Sequence, residues 1–352
     1  MQIDDTRLNA LMGKVVGEFG AIASAPLVIL GDRLGLYKAM AGAGPMTADQ
    51  LSEKTRLRLR YAQEWLNAQA ASGFVEYEPR EQTYALSPEA AMVLADDASP
   101  TFMGGGYEVM MSMYLDLDKV QKAFVDGTGL GWHEHHPCLF SGTERFFRAG
   151  YNAHLEPSWI PALDGMEQKL RAGARVADVG CGFGASTVVL AKAYPQSSFV
   201  GYDYHEPSIV TARERAATAG VADRVRFEVA GAKTYPGRGF DLVAFFDCLH
   251  DMGDPVGAAR HVRSTLADDG IWMIVEPFAN DRVEDNLNPV GRVYYSASTM
   301  VCTPCSLAQE VGLGLGAQAG EKRLRGVATE GGFSRFRRAA ETPFNLVFEA
   351  RP

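Results

Sequence analysis

The sequence predicts an α/β protein of two domains, mostly helical near the N-terminus and built on a parallel sheet in the C-terminal half. Its 352 residues are more than one hydrophobic core usually serves. Helical patterns and one hairpin fill the first 100 residues, whereas short apolar runs alternate with helical stretches from Arg175 onward. We therefore expect domains over residues 1–100 and 171–352, joined by a helical connector over residues 101–170.

The N-terminal part carries the signals of four helices and a two-stranded hairpin. Thr47 begins one helix, and Gln50 stands three positions later, as a capping box requires. The order of helices followed by a hairpin is the winged-helix pattern. The predicted elements are helices over 4–20, Leu27–Met40, Thr47 onward and Leu59–Ala71, and strands over Phe74–Glu78 and Thr83–Leu86.

Alternating strands and helices predict a Rossmann-like parallel sheet with helices on both faces in the C-terminal half. A helix over Ala185–Ala193 follows the first strand, and a terminal hairpin over 337–349 is expected at the sheet edge. The predicted strands are Val176–Val179, Phe199–Tyr202, Val225–Val229, Leu242–Phe246 and Ile271–Val275.

Charge and composition narrow the function classes. The net charge of −9 and the pI of about 5.4 oppose a polyanionic partner such as nucleic acid. Five scattered cysteines predict a reduced, cytoplasmic protein. No apolar run suggests a membrane span, and the first ten residues, which include Asp4 and Asp5, do not resemble a signal peptide.

The most informative stretch is Val176-Ala-Asp-Val-Gly-Cys-Gly-Phe-Gly184, a buried strand that runs into a loop with glycine at alternate positions. Glycine permits a tight turn and lets a ligand approach the backbone closely. Asp178 precedes the first glycine. A carboxylate there does not help an anion-binding loop, but it favours a cofactor with an ammonium group. The loop therefore indicates S-adenosylmethionine rather than a pyrophosphate ligand.

A second acid follows the next strand. Asp203 ends Phe199-Val-Gly-Tyr-Asp203, where a carboxylate can accept hydrogen bonds from both hydroxyls of a ribose. The third strand leads into Gly231-Ala232, and the fourth leads into Asp247-Cys-Leu-His-Asp251. Because parallel strands end at one edge of the sheet, these segments are expected to meet there.

Residues 175–275 resemble the class I S-adenosylmethionine-dependent methyltransferase core, and nearly the whole chain is similar to bacterial winged-helix methyltransferases related to small-molecule O-methyltransferases. The resemblance implies a seven-stranded sheet of order 3-2-1-4-5-7-6 with strand seven antiparallel. It also implies that the winged-helix domain serves dimerisation. Many members have Asp where this chain has Gly231. The cofactor contacts that the loops and the resemblance predict are Asp178, Gly180, Cys181, Gly182, Asp203, Tyr204, Gly231, Ala232, Asp247 and Cys248.

Methyl transfer to a hydroxyl group needs a base for the hydroxyl proton, and histidine suits this role near neutral pH. His250 is the candidate, because the plant-type relatives have a His-Asp pair after strand four and this chain has His250-Asp251 there. A structural role for His250 is the alternative. The candidate acceptor-pocket residues in the connector are Trp132, His133, Tyr151 and His154. No metal site is expected, because the His residues at 133–136 lack a second ligand cluster at metal spacing.

Other function classes remain open, among them a protein that binds the cofactor without catalysing a reaction. A winged-helix DNA-binding regulator is another, since Arg56, Arg58 and Arg60 lie near the start of the third winged-helix helix. Residues 1–100 nevertheless hold nine basic and thirteen acidic residues. An N- or C-methyltransferase acting on a small molecule is a third. A homodimer is expected, because the apolar stripe of the first helix (Leu8, Leu11, Val15 and Phe19) has no obvious cover in its own chain.

Overall fold

The structure, a computed structural model, describes residues 3–352. The chain divides into two compact units. One comprises Met1–Met111 and Ser141–Ala149, and the other comprises Ser112–Phe140 and Gly150–Pro352. The segment expected to be a connector thus contributes residues to both units.

The first unit begins with four helices and a small antiparallel hairpin, in the predicted order. Thr47 forms the predicted capping box, with its hydroxyl accepting from the Gln50 N–H and the Gln50 side chain accepting from the Thr47 N–H. Tyr77 and Tyr84 face each other across the hairpin. The elements are α1 (Asp5–Arg33), α2 (Leu36–Met40), α3 (Ala48–Thr55), α4 (Leu59–Ala71), β1 (Glu76–Glu78), β2 (Thr83–Ala85) and α5 (Pro88–Leu94).

The first helix is longer than the sequence analysis predicts. The expected separate helices over 4–20 and Leu27–Met40 are wrong, because α1 runs unbroken through Pro26 to Arg33. Alanine has the highest helix propensity, and three alanines in residues 21–25 favour the helix just before Pro26. Gly35, with φ of 68°, separates α1 from α2.

Among the described residues, α1 is the one helix long and apolar enough to cross a membrane by length and composition. The expectation that no run reaches this length is therefore wrong. Only 17% of its apolar window is buried. Exposed fractions of 44% to 65% are found for Leu8, Leu11, Met12, Val16, Phe19 and Ile22. Contiguous exposed apolar side chains of this kind usually mark an interaction surface.

Three helices follow in the segment that the two units share. They are α6 (Gly104–Leu115), α7 (Leu117–Asp126) and α8 (Cys138–His154), with a single 3-10 turn at Trp132–Glu134. The mostly helical character predicted for residues 101–170 is confirmed.

The second unit is built on one seven-stranded sheet. The strand order β5-β4-β3-β6-β7-β9-β8 corresponds to 3-2-1-4-5-7-6 when the strands are numbered within this sheet. β9 pairs antiparallel with β7, whereas β3 to β7 are mutually parallel. The predicted fold class is therefore confirmed. The strands are β3 (Arg175–Val179), β4 (Ser198–Asp203), β5 (Val225–Val229), β6 (Phe240–Phe246), β7 (Leu266–Pro277), β8 (Arg335–Glu341) and β9 (Asn345–Arg351).

Helices cover the sheet and complete the hydrophobic core. The core includes Phe245, Trp272 and Phe348 from three adjacent strands, all essentially inaccessible to solvent. Since β3, β4, β5, β6 and β7 are parallel, their carboxyl ends share one edge of the sheet. The helices are α9 (Met166–Ala172), α10 (Ala185–Ala193), α11 (Glu206–Thr218), α12 (Pro255–Thr265), α13 (Pro289–Ala297), α14 (Thr303–Leu307) and α15 (Gly320–Glu330).

Candidate cofactor and acceptor site

Asp178, at the end of β3, is buried with one carboxylate oxygen satisfied and the other not. Oδ2 accepts hydrogen bonds from the hydroxyls of Ser186 and Thr187, each at 2.6 Å. Oδ1 is buried and has no hydrogen-bond partner among the described residues. Burial raises the pKa of Asp178 to about 6, so the group is still ionised at neutral pH. An unsatisfied buried carboxylate oxygen of this kind suits a cationic or hydrogen-bond-donating ligand.

The glycine loop after β3 provides both a tight turn and open backbone. Gly180 has φ of 75°, and a Cβ atom there would lie 2.7 Å from the sulfur of Cys248. Gly182 has φ of 50°, and a Cβ atom there would meet nothing within 4 Å. The N–H groups of Gly180 and Cys181 both donate to the carbonyl of Tyr202. The loop is thus fixed to β4, and its open backbone at Gly182 is accessible to a ligand.

Asp203 is held by backbone groups on both sides of its carboxylate. Its Oδ2 accepts from the N–H of Gly182 at 2.9 Å, and its Oδ1 accepts from the N–H of His205 at 2.8 Å. Burial raises its pKa, although these two N–H groups act in the opposite direction. Each carboxylate oxygen has a second lone pair. Asp203 therefore keeps capacity for the pair of ribose hydroxyls that the sequence analysis assigns to it.

The loop after β5 lies beside Asp203. The N–H of Ala230 donates to the carbonyl of Asp203 at 3.0 Å, which brings Gly231 and Ala232 to the same edge. The carbonyl of Gly231 accepts from the N–H groups of Thr234 and Tyr235. The Gly231 carbonyl thus closes a turn within its own loop.

Asp247 and Cys248 follow β6 and point to different partners. Asp247 has φ of 51°, and its carboxylate accepts from the Tyr151 hydroxyl at 3.0 Å and from the Asn345 side chain at 2.8 Å. The sulfur of Cys248 lies 3.2 Å from the carbonyl of Val179, directly beside the glycine loop. Of the two adjacent residues, Cys248 has its side chain on the cofactor loop, whereas the Asp247 carboxylate is occupied by Tyr151 and Asn345.

His250 is buried, and both of its ring nitrogens face carboxylates. Nδ1 lies 2.7 Å from Oε2 of Glu276, and Nε2 lies 3.2 Å from Oδ1 of Asp251. Burial by itself lowers the pKa of His250, but the charges of Glu276 and Asp251 outweigh it and raise the pKa well above its ordinary value. The second oxygen of Glu276 accepts from the N–H of Leu249 at 3.1 Å, so the carboxylate fixes both the turn and the ring.

Glu276 is a site residue that the sequence analysis missed. It ends the buried run Trp272-Met-Ile-Val-Glu276 and is 2% exposed. A single acid at the end of an apolar strand was the available signal, since carboxylates are rarely buried without a partner. Its partner, His250, lies 26 residues earlier in the sequence, in the turn that follows the neighbouring strand β6.

Cys302 completes the surroundings of His250. A ring nitrogen of His250, a carboxylate oxygen of Asp251 and the sulfur of Cys302 lie within 4.8 Å of one another. Burial raises the pKa of Cys302 to about 12, so it is present as the neutral thiol. The thiol therefore adds no charge beside the imidazole.

The four predicted acceptor-pocket residues do not form one cluster. The Tyr151 hydroxyl donates to the carboxylate of Asp247, which lies three residues before His250 in the sequence. His133 instead meets Tyr204, with Nδ1 3.4 Å from the hydroxyl, and Trp132 packs on Phe140. His154 stacks on Trp159 at a centroid distance of 5.9 Å.

The segment of His residues is fixed through a buried acid that the sequence analysis did not identify. Asp116 accepts from the N–H of His136 at 2.8 Å and lies 3.1 Å from Nδ1 of His135. Lys119 contacts both Asp116 and the carbonyl of Glu134. The segment is therefore anchored to the start of α7, and two aromatic contacts, His133 with Tyr204 and Phe140 with His205, join it to the end of β4.

Comparison with known families identifies two domains. Residues 170–327 match the model described as a methyltransferase domain, and residues 22–96 match the Rv2258c-like winged helix-turn-helix domain. These ranges agree with the sheet and with the helix–hairpin order.

Similar sequences are matched over only part of their length. The 27-O-demethylrifamycin SV methyltransferase of Amycolatopsis mediterranei is 37% identical over 103 residues, which are 29% of this chain and 38% of that protein. The trans-aconitate 2-methyltransferase of Variovorax paradoxus is 41% identical over 110 residues, which are 31% of this chain and 40% of that protein. The chain thus spans less than half the length of these curated relatives.

Similar solved structures cover almost the whole chain. The mitomycin 7-O-methyltransferase MmcR has a TM-score of 0.69 at 18% identity and covers 99% of this chain and 100% of its own. Human N-acetylserotonin methyltransferase, solved with S-adenosylmethionine, has a TM-score of 0.70 at 16% identity and covers 100% of this chain and 99% of its own. At these identities the likeness establishes the fold. The part of the chain that matches the methyltransferase domain model, residues 170–327, thus follows the part that matches the winged helix-turn-helix model, residues 22–96.

Proposed function

We propose that this protein is an S-adenosylmethionine-dependent methyltransferase that methylates a hydroxyl group of a small molecule. The observation that supports the proposal best is the shared position of the glycine loop and the His250–Glu276 pair. The sulfur of Cys248, two residues before His250, lies on the glycine loop. A cofactor on that loop and an acceptor beside His250 are therefore neighbours.

The described residues fit S-adenosylmethionine. The unsatisfied Oδ1 of Asp178 suits the ammonium group, the open backbone at Gly182 permits close approach, and the Asp203 carboxylate suits the ribose hydroxyls. When bound, the cofactor supplies a methyl group on a positively charged sulfur, a good leaving group. Cys181, Tyr204, Gly231, Ala232 and Cys248 adjoin these groups and are proposed as further contacts.

The chain's main chemical task is to position the acceptor and remove its proton. Nδ1 of His250 is fixed by Glu276, which leaves Nε2 as the basic atom. The bound cofactor would supply the methyl group, and Nε2 of His250 would take the proton that the acceptor hydroxyl gives up. Glu276 stabilises the resulting imidazolium, because its carboxylate lies 2.7 Å from the ring.

Among the connector residues predicted to contact the acceptor, Tyr151 is the best supported, because its hydroxyl donates to Asp247. Trp132 and His133 lie nearer the end of β4, and we propose that they border the cofactor instead. His154, which stacks on Trp159, remains a prediction as an acceptor contact.

We propose that the protein acts as a cytoplasmic homodimer. None of the five cysteines forms a disulfide bond in residues 3–352, as expected in a reducing compartment. The exposed apolar side chains of α1, from Leu8 to Ile22, need a cover, and a second copy of the same helix offers the same apolar surface. Light scattering that finds a monomer at micromolar concentration would refute the dimer.

The proposed activity is tested by cofactor binding and by transfer of a labelled methyl group to a panel of phenols, amines and carboxylic acids. We expect binding of S-adenosylmethionine and labelling of a phenol. In the His250→Ala variant, turnover should fall about 10²-fold or more while cofactor affinity stays nearly unchanged, because the base acts only on the acceptor. No cofactor binding by the wild type, or near-normal turnover by His250→Ala, would contradict the proposal.

A further inference from the structure

The charged groups around the proposed acceptor position are mostly acidic. Three carboxyl groups lie around His250: Glu276 at Nδ1, Asp251 at Nε2, and Asp247 three residues earlier at the end of β6. The imidazole is their one basic neighbour in the contacts that the structure describes. One imidazolium balances only one of the two carboxylates that face it, Glu276 and Asp251, so the group as a whole has a surplus of negative charge.

No lysine or arginine offsets this surplus among the described residues. Asp247 is hydrogen-bonded to the neutral side chains of Tyr151 and Asn345, and neither Asp251 nor Glu276 forms an ion pair with a lysine or arginine in residues 3–352. Arg282, the basic residue nearest in sequence to Glu276, pairs with Glu284 and Asp285 at the surface. A carboxylate or phosphate on the acceptor would therefore face carboxyl groups that no lysine or arginine pairs with among the described residues.

The carboxyl groups already act against one another. Burial and the neighbouring charge of Glu276 raise the pKa of Asp247 well above its ordinary value. A further negative charge brought into such surroundings is disfavoured by repulsion and by loss of hydration. A positive charge has the opposite effect, because it relieves the repulsion that the carboxyl groups exert on one another.

One carboxylate oxygen in this group is unsatisfied. Oδ1 of Asp251 is buried and makes no hydrogen bond, although it lies 3.2 Å from Nε2 of His250. A buried acceptor atom without a donor is destabilising unless a ligand or water supplies one. The atom stands beside the nitrogen proposed to take the acceptor's proton, so a donor group on the acceptor molecule is placed to satisfy it.

We infer that the acceptor site selects by charge: it binds hydroxyl compounds that carry a cationic amine in preference to neutral ones, and excludes those that carry a carboxylate. The acidic surroundings of His250 provide the selection through the negative charge of Glu276 and Asp251. This inference rests on the proposed function and specifies its substrate class. Exclusion by like charge is a common way to obtain specificity without new favourable contacts.

Three phenols of similar size but different charge test the inference: tyramine is a cation, 4-ethylphenol is neutral, and 3-(4-hydroxyphenyl)propanoate is an anion. Each is titrated into the full-length protein saturated with S-adenosylhomocysteine, and initial rates of methyl transfer are measured separately with S-adenosylmethionine. We expect the anion to bind at least tenfold more weakly than 4-ethylphenol, and tyramine to bind more tightly than 4-ethylphenol. The ratios of kcat/KM should follow the same order.

Two variants separate a local effect from overall charge. Asp251→Asn removes the carboxylate at Nε2 and should reduce the ratio of tyramine to 4-ethylphenol affinity at least threefold. Asp223→Asn removes one negative charge at a side chain that is 69% exposed and should leave the ratio unchanged. A change of equal size in both variants would overturn the assignment to Asp251.

The remaining outcomes distinguish the inference from the function on which it rests. Equal binding of all three phenols, or tighter binding of the anion, overturns charge selection while leaving methyl transfer to hydroxyl groups intact. If the protein binds S-adenosylmethionine but none of the three phenols, both the charge selection and the hydroxyl acceptor are wrong. If it does not bind S-adenosylmethionine, the proposed function itself fails.

Discussion

Replacement of Glu276 by glutamine is the most direct test of how His250 acts. The amide oxygen can still accept from Nδ1, but the negative charge 2.7 Å from the ring is lost. With charge centres about 4 Å apart and an effective dielectric constant of about 20, the lost attraction is about 4 kcal/mol. The loss of this attraction destabilises the imidazolium and therefore lowers the pKa of His250. The amide dipole retains part of the effect, so about 4 kcal/mol is an upper bound.

The sign of the pH dependence follows from the role of the base. Only neutral imidazole can take the proton, so wild-type kcat should rise with pH through a value above the ordinary histidine pKa, because that pKa is raised in this site. In Glu276→Gln the rise should move to lower pH, and the plateau rate should fall about tenfold because the base is weaker.

The assay is kcat against pH with saturating cofactor and acceptor, for the wild type, Glu276→Gln and an exposed control, Glu214→Gln on α11. Glu214→Gln should reproduce the wild-type profile. An inflection in Glu276→Gln that stays in place or moves to higher pH would refute the assignment of His250 as the base and of Glu276 as the charge that tunes it.

Three further predictions concern the cofactor loop, the first helix and metal dependence. Asp203→Ala should weaken S-adenosylmethionine binding at least about tenfold in calorimetry, since charge-assisted hydrogen bonds contribute about 1.5–3 kcal/mol each; unchanged affinity would remove Asp203 from the site. Phe19→Glu places a charge on the exposed apolar face of α1 and should convert the dimer to monomer in light scattering, whereas a dimer that persists would mean another surface is used. Turnover should survive dialysis against EDTA, because the proposed chemistry needs a base and a good leaving group and no metal ion; loss of activity that zinc restores would instead indicate a metal at His250, Asp251 and Cys302.

How much of the site was predictable depends on how far apart its parts lie in the sequence. The glycine loop and Asp178 belong to one strand–loop–helix segment, and Asp203 ends the next strand. Their chemistry is readable because local spacing and strand ends fix which edge they reach. Glu276 gave only a weak signal, because its role depends on a histidine 26 residues away.

Some features were set by tertiary contacts alone. The sequence marked Asp247 as part of the cofactor floor, but its carboxylate bonds to Tyr151 and Asn345, nearly one hundred residues away on either side. The same limit applies to His133, a predicted acceptor-pocket residue whose ring contacts Tyr204. Side-chain direction at such positions follows from packing between distant segments, which periodicity does not encode.

The sequence by itself determined the fold class, the order of helices and hairpin, the alternation of strands and helices in the C-terminal half and the position of the glycine loop. These features depend on local propensity and on hydrophobic periods of two and 3.6 residues, which are written in neighbouring residues. Only the tertiary structure decided that α1 continues through Pro26 and that His250 lies between Glu276 and Asp251. The state of a buried imidazole depends on charges brought close by folding, and their distances are not a property of any one segment.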